Sequence, residues 1–185
     1  MTIAVESRSL KGAQPVSPSE GGMELLLWVL VWSELIVFGA LLGAFLLIGL
    51  IDRPALTAFH DGLDPGLAGI ATATLLTSGF FAALAAAGRN TRRNLVLAAL
   101  GGFAFCALKI IAFFHELPAF TAAESRLSEL YLLITGFHLA HVAFVAVLLI
   151  VVAWRPKPRP VETVATIWHL IDLVWLMILP VVYLA

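Results

Sequence analysis

Residues Leu127–Trp154 read LSELYLLITGFHLAHVAFVAVLLIVVAW, and this stretch decides the fold. Its one formal charge, Glu129, lies near the start. At a rise of about 1.5 Å per residue, a helix of this length crosses the roughly 30 Å hydrocarbon core of a bilayer. Only a helix or a closed barrel satisfies its own backbone in lipid, so the run is read as a transmembrane helix. Four more stretches qualify on the same grounds, near Glu24–Ile51, Pro65–Ala87, Asn94–His115 and Thr163–Leu184. Each is bounded by Pro, Gly or charged residues. The pattern predicts an all-α, polytopic membrane protein of five transmembrane helices over residues 24–185.

Composition agrees. The chain has 185 residues, 61% hydrophobic and 12% charged, where soluble domains run at about 45–50% and about 25%. A net charge of −1 supplies no basic field, so nucleic acid is not an expected partner. Cys106 is the single cysteine and sits in an apolar run, which leaves no disulfide framework and no cysteine metal motif. Residues 1–23 are polar, with Pro15, Pro18, Gly21 and Gly22 and no apolar core. They read as a disordered cytoplasmic leader, not a cleavable signal peptide.

Orientation is set by Lys and Arg in the short loops. Arg8, Lys11, Arg89, Arg92, Arg93, Arg155, Lys157 and Arg159 fall on one side. Arg53 and Arg126 fall on the other, among Asp52, Asp61, Asp64, Glu116, Glu124 and Glu129. The expectation is an N-terminus in the cytoplasm and a C-terminus on the periplasmic side. Trp28, Trp154 and Tyr183 lie near span ends, where amphipathic rings anchor at the interface.

Charges inside a span cost at least about 2.5–3.5 kcal/mol each on insertion scales, so they face the bundle interior and need partners. Glu34, Lys109, His138, His141, His169 and Asp172 lie inside spans. Counted from the Arg-rich side, Glu34 is roughly 15 Å deep, Asp172 about 13 Å, His169 about 9 Å and His141 roughly 20 Å. Those four can share a layer, and packing can bring Glu34 near His141. His138 and His141 lie three apart on one helix face, and His169 and Asp172 repeat that spacing. A structural polar network, a proton-handling carboxylate and haem ligation by histidines, including His115, all remain open for this cluster. A bis-His haem is the weakest of these, because His138 and His169 sit at different depths. Scattered His and one Cys form no copper or zinc set. Lys109 lies about 22 Å into span three. Its stem can snorkel toward the far interface, and Glu116 can attract it through water or another side chain. Small residues such as Gly69, Ser78, Gly79 and Ala82 permit close helix packing or a lipid-holding groove. A small proton-coupled transporter is a further reading, although no internal repeat or matched pair of broken helices supports it.

Four segments carry a resemblance to a known family. Ile134–Val142, ITGFHLAHV, resembles the TGFHxxHV signature of haem-copper oxidase subunit III. Trp168–Leu176, WHLIDLVWL, resembles that family's WHxxDxVWL signature. Trp32-Ser33-Glu34 is similar to its membrane-buried Ser-Glu, and Thr74–Ser78 to its NTxxLxxSS stretch with Thr in place of Asn. The similarity covers roughly Met23 to Ala185 and points to the shorter, five-helix class. That class includes quinol-oxidase third subunits and the similar proteins associated with nitric oxide reductases, where Lys is expected at the place of Lys109. Ala112 stands where many members carry Glu, so any role of that Glu does not transfer.

The resemblance implies a non-catalytic subunit of a bacterial inner-membrane respiratory enzyme. It implies no cofactor in this chain, with haem and copper or non-haem iron held by partner subunits. It also implies catalytic subunit I of an oxidase or nitric oxide reductase as partner, phospholipid bound between helices, and support of stability and proton uptake. On this reading Glu34 is the buried carboxylate and His141 its partner. Trp32, Trp168 and Trp175 serve lipid or helix packing, and Trp168, His169, Asp172 and Trp175 build one half of span five.

Overall fold

Asp52 and Asp64 bracket a short element that hydropathy does not show. Asp52 Oδ1 accepts from Ala55 N at 3.1 Å, and Asp64 Oδ1 accepts from Leu67 N at 3.0 Å. Each carboxylate thereby caps a helix start, with Pro54 and Pro65 placed in the first turn where no N–H is required. The computed structural model describes residues 18–123 and 125–183. Its helices are α1 (Pro18–Ile51), α2 (Arg53–Asp61), α3 (Pro65–Ala86), α4 (Thr91–Ala123), α5 (Arg126–Trp154) and α6 (Pro158–Tyr183).

Five segments are long and apolar enough to cross a membrane: Trp28–Ile51, Pro65–Ala86, Thr91–Pro118, Arg126–Trp154 and Pro158–Tyr183. They match the five expected spans. α2 is the addition, nine residues where hydropathy predicts a plain loop, with Phe59 its one fully buried side chain. Helix ends also differ from the hydropathy bounds. α4 runs on through Pro118, and α6 starts at Pro158 with Pro160 in the same turn. α1 starts at Pro18, so the last part of the expected leader is helical. The first turn of a helix tolerates proline, which explains both early starts. The rest of the expected leader, and the expected end of span five at Leu184, lie outside the described residues.

The chain divides into two compact units, Met1–Glu34 and Leu35–Ala185. Over its described residues the first is the leading part of α1, where Ser33 Oγ donates to Leu30 O at 2.8 Å and Trp28 and Trp32 are exposed. In the second unit, α3 packs on α4 and α6, and α5 packs on α4 and α6, which closes a four-helix square. α2 sits against α4 and α5. The centre of the square is filled by Leu75, Leu95, Phe105, Ile134, Leu149, Trp168, Trp175 and Ile178.

Small residues set how closely these helices approach. A Cβ placed on Gly101 of α4 would lie 2.6 Å from Ser78 Cβ of α3. A Cβ on Gly102 would collide with the ring of Trp168, and one on Gly79 with Asp172 Oδ2. The α3–α4 turn contains Gly88 at φ +74° and Asn90 at φ 42°. Glycine and asparagine are the residues that take this left-handed backbone at least cost.

Candidate functional site

Lys109 is carried by α4 into the middle of the square, where its side chain is 2% exposed. It does not snorkel. Its Nζ donates to Tyr131 Oη of α5 at 3.1 Å and to Tyr183 Oη of α6 at 3.0 Å. The same ammonium lies over the Trp175 ring, 5.2 Å from the centroid, a cation–π distance. Tyr131 Oη donates to Glu116 Oε2 at 2.7 Å and stands 3.2 Å from Tyr183 Oη. Glu116 Oε1 also accepts from the backbone N–H of Asp64 at 3.4 Å. The ammonium and the carboxylate are therefore joined through a tyrosine, as their spacing on one face of α4 allows. The cluster ties α4, α5 and α6 to the start of α3.

Above the cluster lies an aromatic cap. Phe59 of α2 stacks on Phe120 at 5.3 Å and 11°, and meets Tyr131 edge-on at 5.5 Å. Phe45 of α1 meets Phe59 edge-on at 5.4 Å. α2 thus acts as a lid over Tyr131.

His138, seven residues after Tyr131 on α5, also packs on Trp175. Its ring stacks on Trp175 at 5.3 Å and 27°. Phe105 and Phe38 present edges to it at 5.8 and 6.2 Å. These rings occupy its surroundings. His141 shares the face but is half-buried; its Nδ1 lies 2.8 Å from Phe137 O and its ring 6.3 Å from Phe38. His115 is exposed, and His60 Nε2 lies 3.1 Å from Val182 O. Among the described residues, no three His, Cys, Asp or Glu side chains converge as metal ligands.

His169 and Asp172 meet as their spacing requires, with Nδ1 and Oδ2 3.7 Å apart. Asp172 is buried against Gly79 of α3, while His169 is exposed. Trp168 and Trp175 are fully buried packing residues, and Trp175 Nε1 donates to Thr72 Oγ1 at 2.9 Å. Trp32 is 57% exposed. Glu34 is half-buried in the first unit.

The structure thus brings Lys109, His138 and Trp175 together, and His169 with Asp172. Tyr131, Tyr183 and Thr72 join the site without a sequence signal for it. Tyrosine at a span end reads as an interfacial anchor, and only tertiary packing turns Tyr183 inward.

No protein-family model matches the sequence. Curated relatives do. The chain is 30% identical to "Cytochrome c oxidase subunit 3" of Bacillus subtilis, over 92% of this chain and 92% of that protein. It is 30% identical to the protein of the same name from Alkalihalophilus pseudofirmus, over 85% of this chain and 84% of that protein.

Proposed function

The chain belongs to the cytochrome c oxidase subunit 3 family, and from that premise we propose that it is a non-catalytic subunit of a haem-copper terminal oxidase in a bacterial plasma membrane. Its partner is the catalytic subunit, which holds the haem and the metal. The single observation that carries this reading is similarity along nearly the whole length of both chains. The arrangement around the histidines supports it, since the imidazole of His138 is committed to ring packing.

Bound phospholipid belongs to the same reading. An open groove of ≈ 390 Å³ between α3 and α4, lined by Ile70, Ala73, Thr74, Thr77, Phe81 and Leu97, offers a mostly apolar wall to an acyl chain. Its hydroxyls favour this too, because Thr74 and Thr77 donate to Ile70 O and Ala73 O of their own helix. A role in proton uptake falls to Glu34, His141, His169 and Asp172, which lie within spans on the Arg-rich half. The loops bearing Arg89 and Arg155 face the cytoplasm on this reading, in accord with the positive-inside rule.

The test is a pull-down of the tagged chain in mild detergent, with a reduced-minus-oxidised spectrum and mass spectrometry of the co-purifying proteins. The expected result is a haem-bearing catalytic subunit, and the purified complex's turnover with oxygen or nitric oxide separates oxidase from reductase. A chain that arrives alone and colourless would overturn the subunit reading.

A further inference from the structure

The buried face of α5 changes character halfway along. Ser128, Tyr131, Thr135 and His138 recur at helical spacing on one face, and all four are buried. Past His138 the same face continues as Val142, Val145, Ala146 and Leu149. Tyr131 is saturated by Lys109, Glu116 and Tyr183. The other three each carry an orphaned atom. Ser128 Oγ, Thr135 Oγ1 and His138 Nε2 have no hydrogen-bond partner among the described residues, at exposures of 5%, 5% and 1%.

Buried polar atoms in folded proteins are nearly always partnered. Three orphans on one face of one helix, interleaved with a charged cluster, therefore call for a common partner. Lys109 adds a fourth group, because an ammonium has three donors and the structure gives it two acceptors, Tyr131 and Tyr183. Lys109 Nζ and the His138 ring both lie against Trp175, 5.2 and 5.3 Å from its ring. Thr135 falls between Tyr131 and His138 on the same face. An internal water makes about three hydrogen bonds to groups of this kind. Lys109 supplies a donor, the Thr135 hydroxyl supplies either role, and His138 Nε2 supplies donor or acceptor according to its tautomer. Beyond His138 the rings of Phe38 and Phe105 and the valines of α5 offer water nothing.

We propose that the polar face of α5 binds a file of internal waters, which joins Lys109, Thr135 and His138 and continues past Tyr131 to Ser128 at the α4–α5 turn. Water then reaches mid-bundle from the α4–α5 end only, and the file stops at His138. This does not depend on the identity of the catalytic partner.

The test uses the full chain, labelled with ¹⁵N-histidine in lipid nanodiscs, and reads proton exchange between each imidazole and water by NMR. In the wild type His138 exchanges despite its burial. Thr135→Val keeps the shape and loses the hydroxyl. It slows exchange at His138 by about tenfold, as expected for loss of one hydrogen-bonded bridge. Thr135→Ser restores the rate, and the half-buried His141 serves as a reference that neither change moves. A wild-type His138 that fails to exchange while His141 does would overturn the proposal, as would an unchanged rate in Thr135→Val. If Thr135→Val does not fold, the wild-type comparison of His138 with His141 decides alone.

Discussion

Lys109 and Asp172 are both charged residue types buried within spans, yet the bundle accommodates them differently. Lys109 is surrounded by groups that answer its charge: two tyrosine hydroxyls, the Trp175 face and, one hydroxyl further, Glu116. Asp172 is answered mainly by space. Its Oδ2 occupies room that exists because Gly79 has no Cβ, the basic group beside it is His169 at 3.7 Å, and Oδ1 has no partner among the described residues. The α4–α5 end is therefore held by hydrogen bonds among large polar side chains, and the opposite half by close helix approach at Ser78, Gly79, Gly101 and Gly102. Deleting a charge should be worst in the first region, and adding a methyl group worst in the second.

The largest expected effect tests the first half of that contrast. Lys109→Met leaves the Glu116 carboxylate buried without its cation, and breaking such a pair costs about 3–5 kcal/mol. Lys109→Met combined with Glu116→Gln should recover most of the loss, since a neutral pair leaves no uncompensated charge. Denaturant unfolding in detergent measures both. Equal losses in the single and double variants would show that the two charges do not answer each other.

Next in size is Gly102→Ala, whose Cβ collides with the Trp168 ring. Overpacking of this kind costs about 1–3 kcal/mol. An unaltered melting temperature would mean that α4 and α6 are less closely seated than described. Ser78→Ala should cost less, about 0.5–1.5 kcal/mol, through loss of the bond from Ser78 Oγ to Ala98 O at 2.6 Å. The smallest and opposite effect is expected at Gly136. No atom lies within 4 Å of a Cβ placed there, so Gly136→Ala should stabilise α5 by about 0.5–1 kcal/mol on helix propensity. A loss at Gly136 as large as at Gly102 would remove the distinction between packing glycines and incidental ones.

The five spans are legible because lipid demands long apolar helices, and hydropathy records that demand directly. α2 is not, because nine residues with one buried side chain leave almost no periodic signal. Proline marks helix ends less strictly than the sequence suggests, as α4 continues through Pro118 and α6 through Pro180. Membrane helices tolerate such breaks when neighbours satisfy the freed backbone. Within the candidate site, local spacing finds what lies on one helix: Lys109 with Glu116, His138 with His141, His169 with Asp172. It misses Tyr131 and Tyr183, which reach Lys109 from other helices, because rotation of each helix about its axis is fixed only by packing. It also misjudges Lys109 as a snorkelling candidate for the same reason.

The stacking of Phe59 bears on how the chain is made. Its ring partners Phe120 and Tyr131 are encoded some sixty to seventy residues downstream. At a synthesis rate of about 5–20 residues per second, Phe59 leaves the ribosome roughly 3–14 s before those partners do. During that interval Phe59 has Phe45 of α1 to meet, but not its ring partners on α4 and α5. The lid over Tyr131 therefore closes late in biogenesis, only after α4 and the start of α5 have been made.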